Sequence, residues 1–257
     1  MHLPTSSPLP PLQIGCAGWS LPRAHWGRFA PRDSHLASYA SRLPAVEINS
    51  SFYRPHRRET YTRWAASTPP DFRSSVKCPK TITHELRLAD AMPAAERLLE
   101  QVAGLGTKLG CVLLQLPPSL PFDAPQFRRF AADLRARHGD DVALEARHAS
   151  WFTASAEELL ARFRIARVLA DPVLFPAAAA PGGWPDLIYL RLHGSPRRYW
   201  SPYEDPLLRR LADRLAIARH AGARCWCIFD NTAAGEAVPN ALTLQASCGS
   251  GARPGPA

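Results

Sequence analysis

Lysine is scarce in this chain: Lys77, Lys80 and Lys108 are the only three among 31 basic residues, and the rest are arginines. The arginines are scattered with no block of five or more, so the dense basic tract of a nucleic-acid-binding tail is missing. No apolar run approaches the ~18 residues of a membrane-spanning helix, which excludes one. The first eleven residues, Met1 to Pro11, hold four prolines and no apolar stretch, so they do not read as a secretory signal. With no export signal, the six cysteines are expected as reduced thiols and the protein as cytoplasmic. Metal knuckles are absent too: Cys225 and Cys227 are spaced as one strand face, and no second pair matches them. Gly104-Leu105-Gly106 lacks both the preceding strand and the further glycines of a dinucleotide-binding loop.

What is present is ordinary globular composition, 46% hydrophobic and 21% charged, with a net charge of +9 that favours an anionic partner. A chain of 257 residues has the usual length of one α/β barrel and can bury a core without disulfides or a structural metal. Eight short apolar segments recur: Leu12–Cys16, Ala45–Asn49, Phe72–Cys78, Gly110–Leu116, Val142–Arg147, Ile165–Asp171, Leu187–His193 and Arg224–Asp230. Helical patterns separate most of them, at Asp33–Leu43, Pro93–Lys108, Asp123–Arg137, Ser155–Phe163, Pro206–His220 and Gly235–Gln245. Strands alternating with helices imply a parallel sheet with helices outside, and eight units close most naturally into a TIM (β/α)8-type barrel. The sixth helix is expected to be short or replaced by the Pro/Ala/Gly-rich loop from Pro172 to Pro185. The expected organisation is a flexible tail over 1–11, one barrel domain over 12–247 and a disordered tail over 248–257.

Residues two apart on a strand share a face. Val46 and Ile48 oppose Glu47 and Asn49; Val142 and Leu144 oppose Glu145 and Arg147; Ile188, Leu190 and Leu192 oppose Arg191 and His193. The apolar set must meet the helices, so the polar set points into the barrel at the carboxyl ends of the strands, where TIM-barrel active sites lie. Lys77, Gln115 and Asp171 fit the same description. Asp230 and Asn231 end the eighth strand, and alternation alone does not say which turns inward. Layering of alternate strands would give the pocket a cationic and an anionic side. The bland alternative is that these charges plug the barrel mouth. Buried ion pairs are a poor route to stability, however, and Val, Ile or Leu would fill a purely structural mouth. Trp19, Trp26, Phe52, Tyr53, Trp151, Phe152, Tyr199, Trp200 and Tyr203 follow the strand ends in loops, where they either stack on a ligand or pack on one another. His84 and His148 lie in such loops as well.

The same residues carry a family resemblance. Gly-Cys-Ala-Gly-Trp-Ser at 15–20, Glu-Ile-Asn-Ser-Ser-Phe-Tyr-Arg at 47–54 and Val-Lys-Cys-Pro-Lys-Thr-Ile-Thr-His at 76–84 resemble the YecE-like family (domain of unknown function family 72). So do Gln-Leu-Pro-Pro-Ser at 115–119, Leu-Glu-Ala-Arg-His-Ala-Ser-Trp-Phe at 144–152, Leu-Arg-Leu-His-Gly at 190–194 and Phe-Asp-Asn at 229–231. The resemblance implies a TIM barrel and no assigned activity. Asp230 departs from it, since the family pattern more often has a second asparagine there.

Three functions follow from these observations. The first is an enzyme with Glu47, Glu145, His193 and Asp171 as acid/base groups. Its substrate, a small anionic or phosphate-containing molecule, would be bound by Asn49, Tyr53, Lys77, Gln115, Arg147, Trp151, Arg191 and Asn231. His193 is the best proton carrier because its reference pKa lies near 6.5. Metal-free chemistry is favoured over a divalent metal because Arg and Lys compete with a cation for the carboxylates. Hydrolase, lyase and isomerase chemistry are not separated by these residues. The second is a nucleic-acid-binding or repair-nuclease-like barrel, possible with a metal, resting on basic charge and loop aromatics. The third is a binding barrel without turnover. No membrane partner is expected, and a monomer is the default.

Overall fold

Alternation along each strand sorts the side chains into two apolar layers, one inside a curved sheet and one between the sheet and its helices. The computed structural model describes residues 8–250. Ten strands form one sheet: β1 (Leu12–Ala17), β2 (Ala45–Ile48), β3 (Arg73–Lys77), β4 (Leu109–Gln115), β5 (Val142–Glu145), β6 (Ile165–Arg167), β7 (Leu169–Asp171), β8 (Gly182–Gly183), β9 (Leu187–Leu192) and β10 (Arg224–Phe229). The order is β7-β9-β10-β1-β2-β3-β4-β5-β6-β8, parallel throughout except for the short β6–β8 pair. The expected sixth strand is thus split. Its first half pairs with β5 and its second with β9, and only Val168 separates them. The two ends of the sheet therefore meet, giving a single-domain, nearly closed barrel-like sheet with helices around it.

The helices are α1 (His35–Tyr39), α2 (Ser50–Tyr53), α3 (Arg58–Ala66), α4 (Met92–Val102), α5 (Ala124–Arg137), α6 (Ala154–Arg162), α7 (Asp205–His220) and α8 (Ala237–Ser250). Side-chain caps fix several starts: Asp123 accepts from Gln126 N before α5, and Thr153 from Ala156 N before α6. Helix α3 is not among the expected helices. Its sequence, Arg-Glu-Thr-Tyr-Thr-Arg-Trp-Ala-Ala, buries only Tyr61, so it carries almost no apolar stripe. Between β7 and β9 there is only a 3-10 turn, Pro176–Ala178, and β8, as the Pro/Ala-rich composition suggests. The outer face there keeps an apolar groove of about 320 Å³ lined by Leu169, Ile188, Leu190, Leu211, Leu215 and Ile217.

Two tail boundaries need correction. Pro10 O accepts from Arg219 Nε at 2.7 Å and Pro11 O from Cys225 N at 3.1 Å, so the end of the expected 1–11 tail is tied to the barrel. Helix α8 runs to Ser250, so residues 248–250 are helical rather than tail. The remaining parts of both tails, 1–7 and 251–257, lie outside the described residues. No described helix is long and apolar enough to cross a membrane.

Inside the sheet, Ala45, Cys111, Leu113, Ala143, Ala166, Leu187, Tyr189, Trp226 and Ile228 pack as a cluster distinct from the outer core. Tyr189 and Trp226 stack at 5.8 Å between centroids, and the alanines opposite leave them room. Two residues further along each strand, on the same face, stand Glu47 after Ala45, Gln115 after Leu113, Glu145 after Ala143, Arg191 after Tyr189 and Asp230 after Ile228. The apolar cluster is the floor on which a polar layer rests. All six cysteines are unpaired.

Close strand approach makes one glycine obligatory. A Cβ on Gly15 would stand 2.0 Å from Ala45 O and 3.0 Å from Tyr39 Oη, whose hydroxyl bridges Cys16 N and Ala45 O at 2.8 Å each. Gly15→Ala is expected to lower stability by about 1–3 kcal/mol through overpacking. Gly27→Ala, with nothing within 4 Å, should stay within about 0.5 kcal/mol. Urea unfolding of both variants checks this, and an unchanged midpoint in Gly15→Ala would contradict it.

Candidate functional site

The polar layer is organised by Arg191, which is 0% exposed. Its Nη2 and Nε donate to the two oxygens of Glu47 at 2.7 and 2.9 Å, a bidentate fork. Its Nη1 donates to Glu145, and Nη2 also reaches Asp230 Oδ2 at 3.1 Å. Glu145 further accepts from Arg147 Nε at 2.7 Å and Gln115 Nε2 at 3.1 Å. Glu47 accepts from Tyr189 Oη at 2.9 Å. A phenol has one proton, so the 2.8 Å contact between Tyr189 and Ser75 must have Ser75 as donor. His193 bridges the acids, with Nδ1 2.9 Å from Asp230 Oδ2 and Nε2 3.7 Å from Glu145 Oε1.

Burial alone would raise the carboxylates and lower the bases; the pairing overrides it. Burial pushes Glu145 up, but Arg191 and His193 hold it well below the usual carboxylate range. Asp230 is likewise lowered on balance, by Arg191 and His193 against burial. For His193, burial is outweighed by the hydrogen bonds to Asp230 and Glu145, so its pKa is raised. Lys77 goes the other way. Burial, then the charge of Arg191, bring it down to about 8, only partly opposed by Glu47, Glu145 and Asp230.

The structure brings Glu47, Glu145, His193, Arg191, Arg147, Gln115 and Lys77 together, as the strand alternation implies. The charges do not separate into a cationic and an anionic side, because Arg191 spans acids from β2, β5 and the end of β10. The centre is also closed: Glu47, Glu145, Arg191 and His193 are each at most 1% exposed. Groups reaching the opening are Arg147 and Asp230, with side chains 17% and 13% exposed, and Lys77 at 8%. Beside the cluster a cavity of about 530 Å³ is lined by Asn49, Ser50, Trp19, Ser20, His35 and Thr232 among others, and Asn49 Oδ1 has no partner there.

Three expected site residues are placed elsewhere. Asp171 shares a face with Leu169, which joins the outer core; it accepts from Tyr203 Oη at 2.7 Å instead of facing Arg191. Alternation continues unbroken through Val168: Ala166 and Val168 face inward while Ile165, Leu169 and hence Asp171 take the opposite face. Trp151 is 1% exposed, packs edge-on to Phe122 and Phe127, and donates to Leu120 O, so it is a core residue. Asn231 donates to Ser201 O and Asn240 Oδ1, tying the loop after β9 to α8. Tyr53 stands 75% exposed against Phe52 at the rim. Asp230, not Asn231, is the inward residue of the last strand. Trp226 and Ile228 oppose Cys225, Cys227 and Phe229, so both faces of β10 are apolar and alternation carried no direction. Among the described residues no group of three or more His, Cys, Asp or Glu could hold a metal ion.

A profile of the family described as "Protein of unknown function DUF72" matches residues 13–256. UPF0759 protein YecE of Escherichia coli (strain K12) is 30% identical over 148 residues, 57% of this chain and 52% of that protein. The chain thus matches about half the length of that relative. UPF0759 protein YunF of Bacillus subtilis (strain 168) is 27% identical over 210 residues, 74% of this chain and 72% of that protein. The structure of a DUF72 family protein from Enterococcus faecalis matches with TM-score 0.75 at 20% identity, covering 93% of this chain and 95% of that one. Another, from Thermotoga maritima, matches with TM-score 0.68 at 24% identity, covering 91% and 98%. At these identities the two structures show a shared fold.

Removing Arg191 strands three buried acids. Arg191→Met is expected to cost about 3–5 kcal/mol, and adding Glu47→Gln should restore part of the loss; urea unfolding of the single and double variants measures both. The pH dependence has a definite sign. A raised His193 pKa contributes stability that is full below its unfolded value of about 6.5 and is lost as pH rises through the folded value. The lowered Asp230 and Glu145 contribute above about 4 and lose their contribution as pH falls. Asp230→Asn should bring the NMR titration of His193 to lower pH and weaken the alkaline loss of stability; an unmoved titration would refute the pairing.

Proposed function

We propose a function on one premise: the chain belongs to the DUF72 family of proteins of unknown function. The barrel mouth is an enzyme site for a small anion carrying a carboxylate or phosphate. The observation that carries this reading is a pair of cations with unused donors at the opening. Arg191 takes one bond or more to each acid and Arg147 gives only its Nε to Glu145, so Arg147 keeps two terminal nitrogens without partners among the described residues, and Lys77 keeps its whole ammonium group. Arg147 supplies the planar fork that grips an oxyanion. Asn49 offers an amide at the adjoining cavity. Asp230 is the acid that faces the opening, with His193 behind it at 2.9 Å as its proton partner. Glu47 and Glu145 are positioning residues that aim Arg191 and Arg147.

Metal-free chemistry is the better supported version. A guanidinium already occupies the place between Glu47, Glu145 and Asp230 where a divalent ion would have to sit, and displacing it would break four hydrogen bonds. Six unpaired cysteines suit a reducing cytoplasm. A second reading, nucleic-acid binding, is favoured by exposed rings at the same end of the barrel. Trp26, Tyr53, Tyr199 and Trp200 are 50%, 75%, 38% and 46% exposed, with Arg23 and Arg197 stacked on the two tryptophans.

Calorimetric titration with inorganic phosphate tests the first reading. The wild type is expected to bind, and Arg147→Gln to bind about 10- to 100-fold more weakly, the worth of a charge-assisted hydrogen-bond pair. Equal affinity in both proteins would sink the anion site. Binding of single-stranded DNA that weakens steeply with salt, in the absence of phosphate binding, would transfer support to the second reading.

A further inference from the structure

We propose that Lys77 is a carbonyl-reactive amine, forming an imine with a small aldehyde or ketone that carries the anionic group held at Arg147. This rests on the anion-site reading and narrows its substrate class.

The chain's three lysines are in sharply different states. Lys80 is half exposed and ion-paired with Glu85 at 3.1 Å. Lys108 donates to Ala65 O, Thr68 O and Thr68 Oγ1. Lys77 is 8% exposed, yet its Nζ makes no hydrogen bond or ion pair among the described residues and stands 4.1 Å over the Phe52 ring. An ammonium carries three donors, and a largely desolvated setting that offers it no protein acceptor disfavours the charge; losing one proton removes the charge and leaves a lone pair facing the opening. The ring face offsets only part of that cost. The backbone at its root is fixed: Lys77 ends β3, and Ser51 Oγ donates to its carbonyl at 2.7 Å. The charged and titratable groups around it are Arg191, Glu47, Glu145, Asp230 and His84. Their combined effect with burial brings the amine down to about 8. Against the ordinary lysine value of about 10.4, the free-amine fraction at neutral pH rises by about two orders of magnitude.

The chemistry balances without an oxidant or reductant. The Nζ lone pair forms a C–N bond to the carbonyl carbon, and the carbonyl oxygen takes both amine protons and leaves as water. One proton from the His193–Asp230 pair then converts the imine to an iminium. That cation draws electrons from the neighbouring C–H or C–C bond, which is how an amine nucleophile activates a carbonyl substrate. Asp230, the acid at the opening, is placed to take the proton released. Arg147 holds the carboxylate or phosphate.

The test uses the full wild-type chain with glyoxylate and sodium cyanoborohydride at neutral pH, which traps an imine as a carboxymethyl group, followed by peptide mapping. Lys77 is expected to be modified at least about 10-fold faster than Lys80 and Lys108, in line with its larger free-amine fraction, and inorganic phosphate should slow the reaction. Labelling that follows exposure, with Lys80 and Lys108 ahead of Lys77, would overturn the proposal. An unlabelled Lys77 in protein that binds phosphate would overturn the amine role and leave the anion site standing. Fast labelling of Lys77 that phosphate does not slow would support the amine role while removing the shared anion site. Absence of both labelling and phosphate binding would remove both.

Discussion

A guanidinium with no access to water, surrounded by three carboxylates, holds the top of this barrel together. Arg191 reaches from β9 to Glu47 on β2, Glu145 on β5 and Asp230 at the end of β10. Desolvating four charges is expensive, and the attraction offsets that only when every donor and acceptor is engaged. Much of that condition is met here: the acids also take Tyr189, Gln115, Arg147 and His193, so each carboxylate has at least two donors. One side chain thereby sets the relative positions of strand ends that lie far apart in the sequence.

This network explains why the polar layer has a closed centre and charged groups at its rim. At its centre the charges neutralise one another and are closed to solvent, as a structural plug would be. Around that centre Arg147 completes the pairing of Glu145 through its Nε, while its terminal nitrogens and the Lys77 ammonium keep donors that the acids do not use. Among the described residues of this network, Asp230 with His193 is the acid–base pair that reaches the opening. The apolar floor of Tyr189, Trp226 and small residues below excludes water from the network, which strengthens its electrostatics and desolvates Lys77.

The places where sequence and structure part have more than one cause. Strand alternation locates a side chain only where one face is polar and the other apolar. On β2, β5 and β9 this holds, and Glu47, Glu145, Arg191 and His193 stand where the pattern puts them. On β10 both faces are apolar, which hid the choice between Asp230 and Asn231. On the sixth segment Asp171 shares its face with Ile165 and Leu169 and turns to the outer core, although it ends its strand as the pocket residues do. For Trp151 the question was never one of alternation, since a loop tryptophan is placed by whichever apolar surface lies within reach, here Phe122 and Phe127.

The sequence by itself determined the eight strand segments, the parallel α/β architecture, the loop in place of a helix before β9, and which end of the barrel carries the charges. These follow from local periodicity and turn chemistry, which are properties of neighbouring residues. Only the tertiary structure decided that the charges converge on Arg191, that Asp230 turns inward, that Asp171, Trp151 and Asn231 serve packing and loop anchoring, and that Lys77 meets no hydrogen-bond or ion-pair partner among the described residues. Each of these depends on distances between residues remote in the chain, and desolvation is a property of the enclosed space rather than of any one segment.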